Sequence, residues 1–320
     1  MKKFSMFITL CIATLLLISC SNTKDKNNIS TNDSESKKSI IPVEEYNVLT
    51  YMQSFSGSSS YGEENYIGPE LHYKNISKKE NMSNKKENIL NNDISAYYDR
   101  TTRFGELSYE VDVYCFTPPD DGLGFISYNS DTQEIVEFSS SAIGTRSYIS
   151  PITADSTEED YVKYARDSFE KLSGVSTDGW SVKVSTQNDT DLGKSDKFVK
   201  LSDSKDITEY TFTFYKTLGD VERFDKMYIK MTNFGEIFAF NSINYEEAFE
   251  PFSELNLSRE KIEKEVWGNV FVPGANSSIK KFELVPYYDE IWAEVWIEYT
   301  PSHDDMTRGT IYVFKVAELE

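Results

Sequence analysis

Trp292 and Trp296 fall on one side of a strand-like run together with Glu294 and Glu298, since residues two apart in a strand share a face. Aromatic surface beside carboxylates is the chemistry of a glycan or small-ligand subsite, so Trp292 and Trp296 are the candidate ligand contacts. Other reactive groups are sparse. The chain has only two histidines, His72 and His303, and the latter lies in a turn-like His303-Asp304-Asp305 where both residue types are ordinary. Asp189, Asp191 and Asp196 around Gly193 have the flavour of a calcium loop. An EF-hand begun at Asp189, however, needs Gly at its sixth position and Glu at its twelfth, where Lys194 and Lys200 stand. Gly57-Ser58-Ser59-Ser60-Tyr61 lacks the closing Gly of a nucleophile elbow. The acid pairs Asp120-Asp121 and Glu246-Glu247 would do acid–base work only in a cleft that drives their pKa values apart, and read as exposed loop carboxylates. No HExxH, CxxC, GxGxxG or Walker sequence occurs. The sequence therefore assigns no catalytic residue, no metal site and no cofactor, and the chain reads as a non-enzyme.

The N-terminus carries an address. Lys2 and Lys3 precede an apolar run through Leu17, followed by Leu17-Ile18-Ser19-Cys20 and the polar Ser21 and Asn22, the layout of a secretory signal over residues 1–19. Its end resembles the bacterial lipobox, in which cleavage leaves a cysteine bearing a diacylglyceryl thioether and often an amide-linked acyl chain such as palmitate. Cys20 is thus the expected lipidation site. Two acyl chains give stable anchoring where one is marginal, so the expectation is a cell-membrane protein held by lipid on the extracytoplasmic face. Residues 20–39, rich in Asn, Ser, Lys and Asp, read as a disordered tether. With Cys11 in the signal and Cys20 acylated, Cys115 alone remains and no intramolecular disulfide can form.

Charge narrows the partners. The formal net charge is -20, and -22 without Lys2 and Lys3, whereas nucleic-acid binding needs clustered Lys and Arg to displace counterions. The same balance argues against lying flat on anionic lipid. The 20 Phe and 21 Tyr sit mostly in strand-like runs, where β propensity and core packing account for them.

The elements that would position these residues centre on residues 207–244. Tyr210, Phe212 and Phe214 alternate with polar positions, as do Met227, Ile229 and Met231, which is the period of half-buried strands. Gly219 and Thr232-Asn233-Phe234-Gly235 mark reversals. A copy of this plan precedes it: Leu107, Tyr109, Val111, Val113 and Cys115 on one strand face, a turn at 118–122, then 125–129 and 134–138. A shift of 102 residues lays Ile126 on Tyr228, Ile135 on Ile237, Phe138 on Phe240 and Ser156 on Ser258, a diverged internal repeat. Ser156 with Glu159 predicts a capping box for a helix ending at Gly174. Leu257 and Ile262 flank a second helix start at Ser258, and 282–284, 291–299 and 310–316 read as strands. Residues 40–92 give no clear element, and a degenerate helix is expected there if the repeat extends backwards. The expected fold class is α+β: tandem helix-plus-antiparallel-sheet units, helices covering one face of each sheet, with an incomplete N-terminal unit at 40–154 and C-terminal repeats at 155–320.

The helix opening STEEDYVKYARDSFEKLSG, the stretch EYTFTFYKTLGDVERFDKMYIKMTNFGEIFAFN and LSREKIEKEV resemble uncharacterised lipoproteins of low-GC Gram-positive bacteria built from PepSY-like repeats. The resemblance spans roughly 94–316 and rests on the strand, turn, Gly-Glu-Ile, strand order, relaxed to Gln133-Glu134-Ile135 in the first copy. It implies an extracytoplasmic PepSY/cystatin-like module that restrains a peptidase or mediates protein contacts, with no catalytic residue to carry over. Two functions are left: a non-catalytic module binding an envelope protein or peptide, or a small-ligand or glycan receptor or envelope enzyme built on Trp292 and Trp296.

Overall fold

The computed structural model describes residues 38–40, 49–51, 73–90, 92–104, 110–117, 123–140, 151–188, 194–195, 198, 207–269, 275–301 and 308–319. Cys20, the signal, the tether as far as residue 37, His72, His303, the 189/191/196 aspartates, Asp120-Asp121 and Gly57–Tyr61 lie outside them, whereas Lys38 and Ser39, expected at the end of the tether, are in a strand that pairs with Leu319 and Glu318. Four strands come first: β1 (Lys38–Ile40), β2 (Leu49–Tyr51), β3 (Tyr73–Ser77) and β4 (Lys85–Ile89). The first meander is β5 (Asn92–Phe104), β6 (Val111–Phe116), β7 (Gly124–Asn129) and β8 (Ile135–Ser140). After helix α1 (Glu158–Ser173) come β9 (Ser181–Asn188), β10 (Lys194–Ser195), β11 (Thr208–Tyr215), the small hairpin β12 (Thr217–Leu218) and β13 (Val221–Glu222), β14 (Met227–Thr232) and β15 (Ile237–Asn241). Helix α2 (Glu246–Phe249), a 3₁₀ turn at Glu250–Phe252 and helix α3 (Arg259–Asn269) lead to the long strands β16 (Ala275–Tyr287), β17 (Glu290–Pro301) and β18 (Arg308–Leu319).

The two meanders do not make two units. They merge edge to edge into one eleven-stranded antiparallel sheet, β10-β9-β11-β14-β15-β8-β7-β6-β5-β3, with β4 also on β5. A second, five-stranded sheet holds β1, β18, β17 and β16, with β2 on β18. The fold is therefore mostly β, and the tandem helix-plus-sheet α+β arrangement is corrected. Two physical causes stand out. Exposed strand edges are costly liabilities that pairing removes, and β8 and β15 cover each other's edge. The polar run expected to hold a degenerate helix instead pairs: β4 sits on β5 from Lys85↔Ala96 to Ile89↔Asn92.

The seam between the halves is symmetric. Phe138 of β8 lies directly opposite Phe240 of β15, the very residues that the internal repeat makes equivalent, and Ser139 and Glu137 face Ala239 and Asn241. In the flanking strands the correspondence slips by one. Ile126 pairs with Phe138 and Ile229 with Phe240, so the counterpart of Ile126 is Ile229 rather than Tyr228. The turn after β7 is one residue longer than that after β14, and both end on a left-handed residue, Gln133 (φ 62°) and Gly235 (φ 76°). Glycine adopts that conformation freely, whereas Gln does so at a cost.

Helix α1 closes one face of this sheet. Its N-cap is Thr157, whose hydroxyl accepts from Asp160 N while Asp160 accepts from Thr157 N at 2.8 Å. The capping box thus stands one residue beyond the Ser156–Glu159 pair, because Ser156 is engaged with Thr153. Gly174 (φ 72°) ends the helix as expected. Tyr161, Ala165 and Phe169 are buried with Phe212, Phe214, Phe240, Phe116 and Tyr114 in the first core. The helix tyrosines also clamp the β14–β15 turn, Tyr161 Oη donating to Asn233 O at 2.5 Å and Tyr164 Oη to Gly235 O at 3.3 Å.

A second core joins Val111, Val113 and Val136 of the large sheet to Phe249, Phe252, Leu257, Ile262 and Val266 and to the inner residues of β16, β17 and β18. Leu257 and Ile262, the expected staple around the α3 start, are both buried here. Gly219 (φ 65°) lets the small hairpin touch the backbone just before α3: a Cβ there would stand 2.1 Å from Leu257 O. Cys115, on β6, is half-buried, and burial raises its thiol pKa, so it stays protonated near neutral pH. No helix among the described residues is long and apolar enough to cross a membrane.

Candidate functional site

The strand β17 runs through the middle of its sheet, between β16 and β18. Ile291, Ala293, Val295 and Ile297 point into the second core, so Trp292, Glu294, Trp296 and Glu298 share the opposite face, as their spacing requires. That face does not hold an open aromatic strip. Trp292 is 6% exposed and its indole N–H donates to Glu290 Oε2 at 2.8 Å. Trp296 is half-buried, between Lys281 of β16 and Ile311 of β18 in the register. The candidate ligand contacts therefore occupy neighbouring positions, but Trp292 is spent on packing and on its hydrogen bond.

The carboxylates beside them are spent as well. Glu294 and its cross-strand partner Glu283 are buried, and Lys281 bridges them at 3.2 and 2.8 Å. Two like charges directly opposite one another repel, so this lysine is what allows the pair. Glu283 also receives Lys226 at 2.7 Å, Lys226 reaches Glu222 at 2.6 Å, and Glu222 receives Lys183 at 2.8 Å. The result is an alternating chain of acids and bases from β17 through β16 and β13 to β9, linking the two sheets. Burial alone would lower the pKa of Lys226 and Lys281, yet the glutamates outweigh it and raise both. Both lysines stay charged at neutral pH and offer no neutral amine for nucleophilic work.

Two other polar clusters lie in the large sheet. Asp112, 1% exposed, accepts from Lys79 Nζ at 2.9 Å and from Thr101 Oγ1 at 2.6 Å, while Tyr98 Oη shares a 2.7 Å hydrogen bond with Thr101. Burial opposes the charge on Asp112, but these donors more than offset it and lower its pKa. Glu137, at the seam, accepts from Asn241 Nδ2 at 3.2 Å and Ser127 Oγ at 3.1 Å. Here burial wins over those bonds and over the nearby Arg100, so the carboxyl pKa is raised.

This sign has a measurable consequence. A carboxyl whose folded pKa exceeds its unfolded value contributes stability that is fully present below the unfolded pKa and is lost as pH rises through the folded one. Glu137→Gln, neutral at every pH, is expected to raise the melting temperature at pH 7 and to leave it unchanged near pH 4 or below. Melting curves at the two pH values check it; a variant less stable than wild type at pH 7 would refute the assignment.

Among the described residues no group of three or more His, Cys, Asp or Glu is placed to hold a metal ion. Shallow depressions run along the outer side of α1, one lined by Glu158, Glu159, Val162, Lys163, Arg166 and Asp167. Neither they nor the cores bring convergent acids up to a tryptophan. Glu246 and Glu247, read as loop acids, begin α2, and Glu246 pairs with Lys216 at 2.9 Å and Arg223 at 2.8 Å.

One conspicuous surface residue escaped the sequence reading. Tyr288, in the two-residue loop between Tyr287 and Glu290, is 71% exposed and has φ 52°. Its ring meets that of Tyr287 at 4.7 Å, and Tyr287 meets Trp292 edge-on at 6.4 Å. The signal was present: two long alternating runs flank Tyr288-Asp289, a loop without the Gly or Asn such a reversal prefers. No family model, curated protein or solved structure matches this chain.

Proposed function

We propose that the protein is a lipid-anchored component of the extracytoplasmic membrane face whose folded part is a non-catalytic module binding a protein or peptide of the cell envelope. The observation that carries this reading is the state of the chemistry-bearing residues on β16 and β17. Trp292 is bonded to Glu290, and Glu283 and Glu294 are neutralised by Lys281 and Lys226. Side chains fixed in this way give rigidity, and rigid sheets with exposed edges or faces suit recognition of another chain. The anchor rests on Leu17-Ile18-Ser19-Cys20.

Two measurements test the two halves. Cys20→Ala is expected to abolish the lipid mass increment and move the protein from the membrane fraction to the soluble one; full membrane retention would sink the anchor. In-cell crosslinking with quantitative mass spectrometry, compared with a deletion of 107–316 that keeps Cys20 and the following segment, is expected to enrich one envelope protein. Equal recovery of every crosslinked protein by both forms would overturn the binding role and favour a small ligand or glycan.

A further inference from the structure

We propose that the unpaired edge of β16, ahead of its bulge, receives an extended segment of the partner protein as an added strand, with Trp267 of α3 anchoring one of its side chains; this rests on the binding-module reading above and gives the contact a form. β16 ends its sheet. Among the described residues, backbone meets its outer side only at Leu284, where Arg223 bridges in parallel and Phe224 N donates to Leu284 O at 3.0 Å. From Asn276 to Ile279 no backbone partner stands on that side, and Asn276, Ser277 and Ser278 are exposed. Such an edge is a template for another chain, whose main-chain hydrogen bonds supply affinity. The register shift between Ile279 and Lys281 and the exposed Lys280 oppose a longer, indiscriminate pairing. The stretch ahead of the bulge is what is left to a specific partner.

Helix α3 runs beside this edge. Arg259 at its start stands 5.2 Å from the centre of the Phe282 ring. Asn269 at its end is six residues from Ala275, a reach of at most about 20 Å. A helix running in the direction of β16 would end level with Tyr287, about 40 Å from Ala275 at the strand rise, so α3 returns toward the first residues of β16. Trp267 lies two turns beyond Arg259, on the stripe that holds the 2.6 Å pair of Arg259 with Glu263. Eight helical residues advance about 12 Å, the length of roughly three to four strand residues, which sets Trp267 level with Ser278 and Ile279. It is 39% exposed, and no hydrogen bond or ring contact among the described residues engages it. A large aromatic surface with an unused N–H donor beside an open edge has the composition of a binding hot spot.

Main-chain pairing selects an extended peptide segment, and Trp267 adds selection for an apolar or aromatic side chain on it. A second copy of this chain is the poorer occupant, because two bodies each carrying -20 repel one another.

The test places the photocrosslinking residue p-benzoylphenylalanine at Asn276, at Ser278 or, as a control, at the exposed Asp131 of the large sheet, in the full lipidated chain in cells. Positions 276 and 278 are expected to capture one segment of one envelope protein at points about two residues apart, as one-to-one strand pairing requires, and position 131 to capture none of it. Trp267→Ala should lower the yield at both edge positions several-fold and leave the melting temperature unchanged. Capture points scattered over the partner, equal capture at 131, or capture of a second copy of this chain overturns the added strand. If the deletion comparison above enriches an envelope protein that neither edge position touches, the edge proposal falls and the module reading stands. If that comparison enriches nothing, the module reading falls and takes the edge with it.

Discussion

Arg223→Ala is expected to lower stability by about 3–5 kcal/mol, the usual cost of removing one partner from a buried ion pair. Arg223 lies where the small hairpin meets the second sheet: its N–H bonds Lys216 O, and the neighbouring Phe224 N bonds Leu284 O at 3.0 Å. Its guanidinium grips Asp225 with two hydrogen bonds, one of 2.9 Å, and lies 4.0 Å from the centre of the Phe249 ring. The side chains of Arg223 and Asp225 are 5% and 0% exposed. Asp225 also accepts from Tyr245 N at 2.9 Å, but burial dominates and raises its pKa even with arginine present. Without Arg223 that buried carboxyl keeps the Tyr245 N–H but loses the guanidinium that balances its charge. Urea unfolding should show a lower midpoint at unchanged slope. Arg223→Lys should recover only part of the loss, because an ammonium cannot reproduce the fork. Arg223→Met with Asp225→Leu should lose less than Arg223→Ala alone; a double variant as damaged as the sum of both singles would show that the two residues act independently.

Phe240→Ala is expected to cost about 3–5 kcal/mol as well, through lost burial and a cavity that the surrounding core cannot close. Phe240 is 1% exposed and its ring meets Phe138 at 6.3 Å across the seam and Phe169 of α1 edge-on at 6.4 Å. A single truncation thus weakens the joint between the two halves and the helix laid over it. Phe234→Ala, at a position 46% exposed in the adjacent turn, should shift stability by no more than about 0.5 kcal/mol. Denaturation of both variants gives the comparison, and similar losses would mean that the seam is not where the fold is held.

Much of this was legible locally. The alternation of Tyr210, Phe212 and Phe214 placed each of them in the core, and Gly174, Gly219 and Gly235 marked reversals that the backbone makes at positive φ. The edge-to-edge merger was not legible, because nothing within β8 or β15 states which distant edge each will cover. The Lys- and Asn-rich β4 was hidden for a related reason: its pairing to β5 supplies the hydrogen bonds that its side chains cannot advertise. Trp292 misled through the same two-residue period that succeeded elsewhere. In β17 residues 291–295 are all buried, so alternation marks two covered faces, and the outer one is tolerable only because Lys281 answers Glu294.

The seam between β8 and β15 carries an implication for assembly. A pairing centred on equivalent residues is self-complementary, so the same edge can in principle be completed by the corresponding strand of another chain, the route by which protomers exchange elements. What distinguishes the proper match is small. In the native seam Glu137 faces Asn241 and accepts its amide, whereas two β15 edges meeting about Phe240 would set Ala239 against Asn241 and leave that amide without the carboxylate. The amide of Asn241 on Glu137, with the hydroxyl of Ser242 on Val136 O, therefore works as a lock and key between two diverged halves, telling the chain to close on itself.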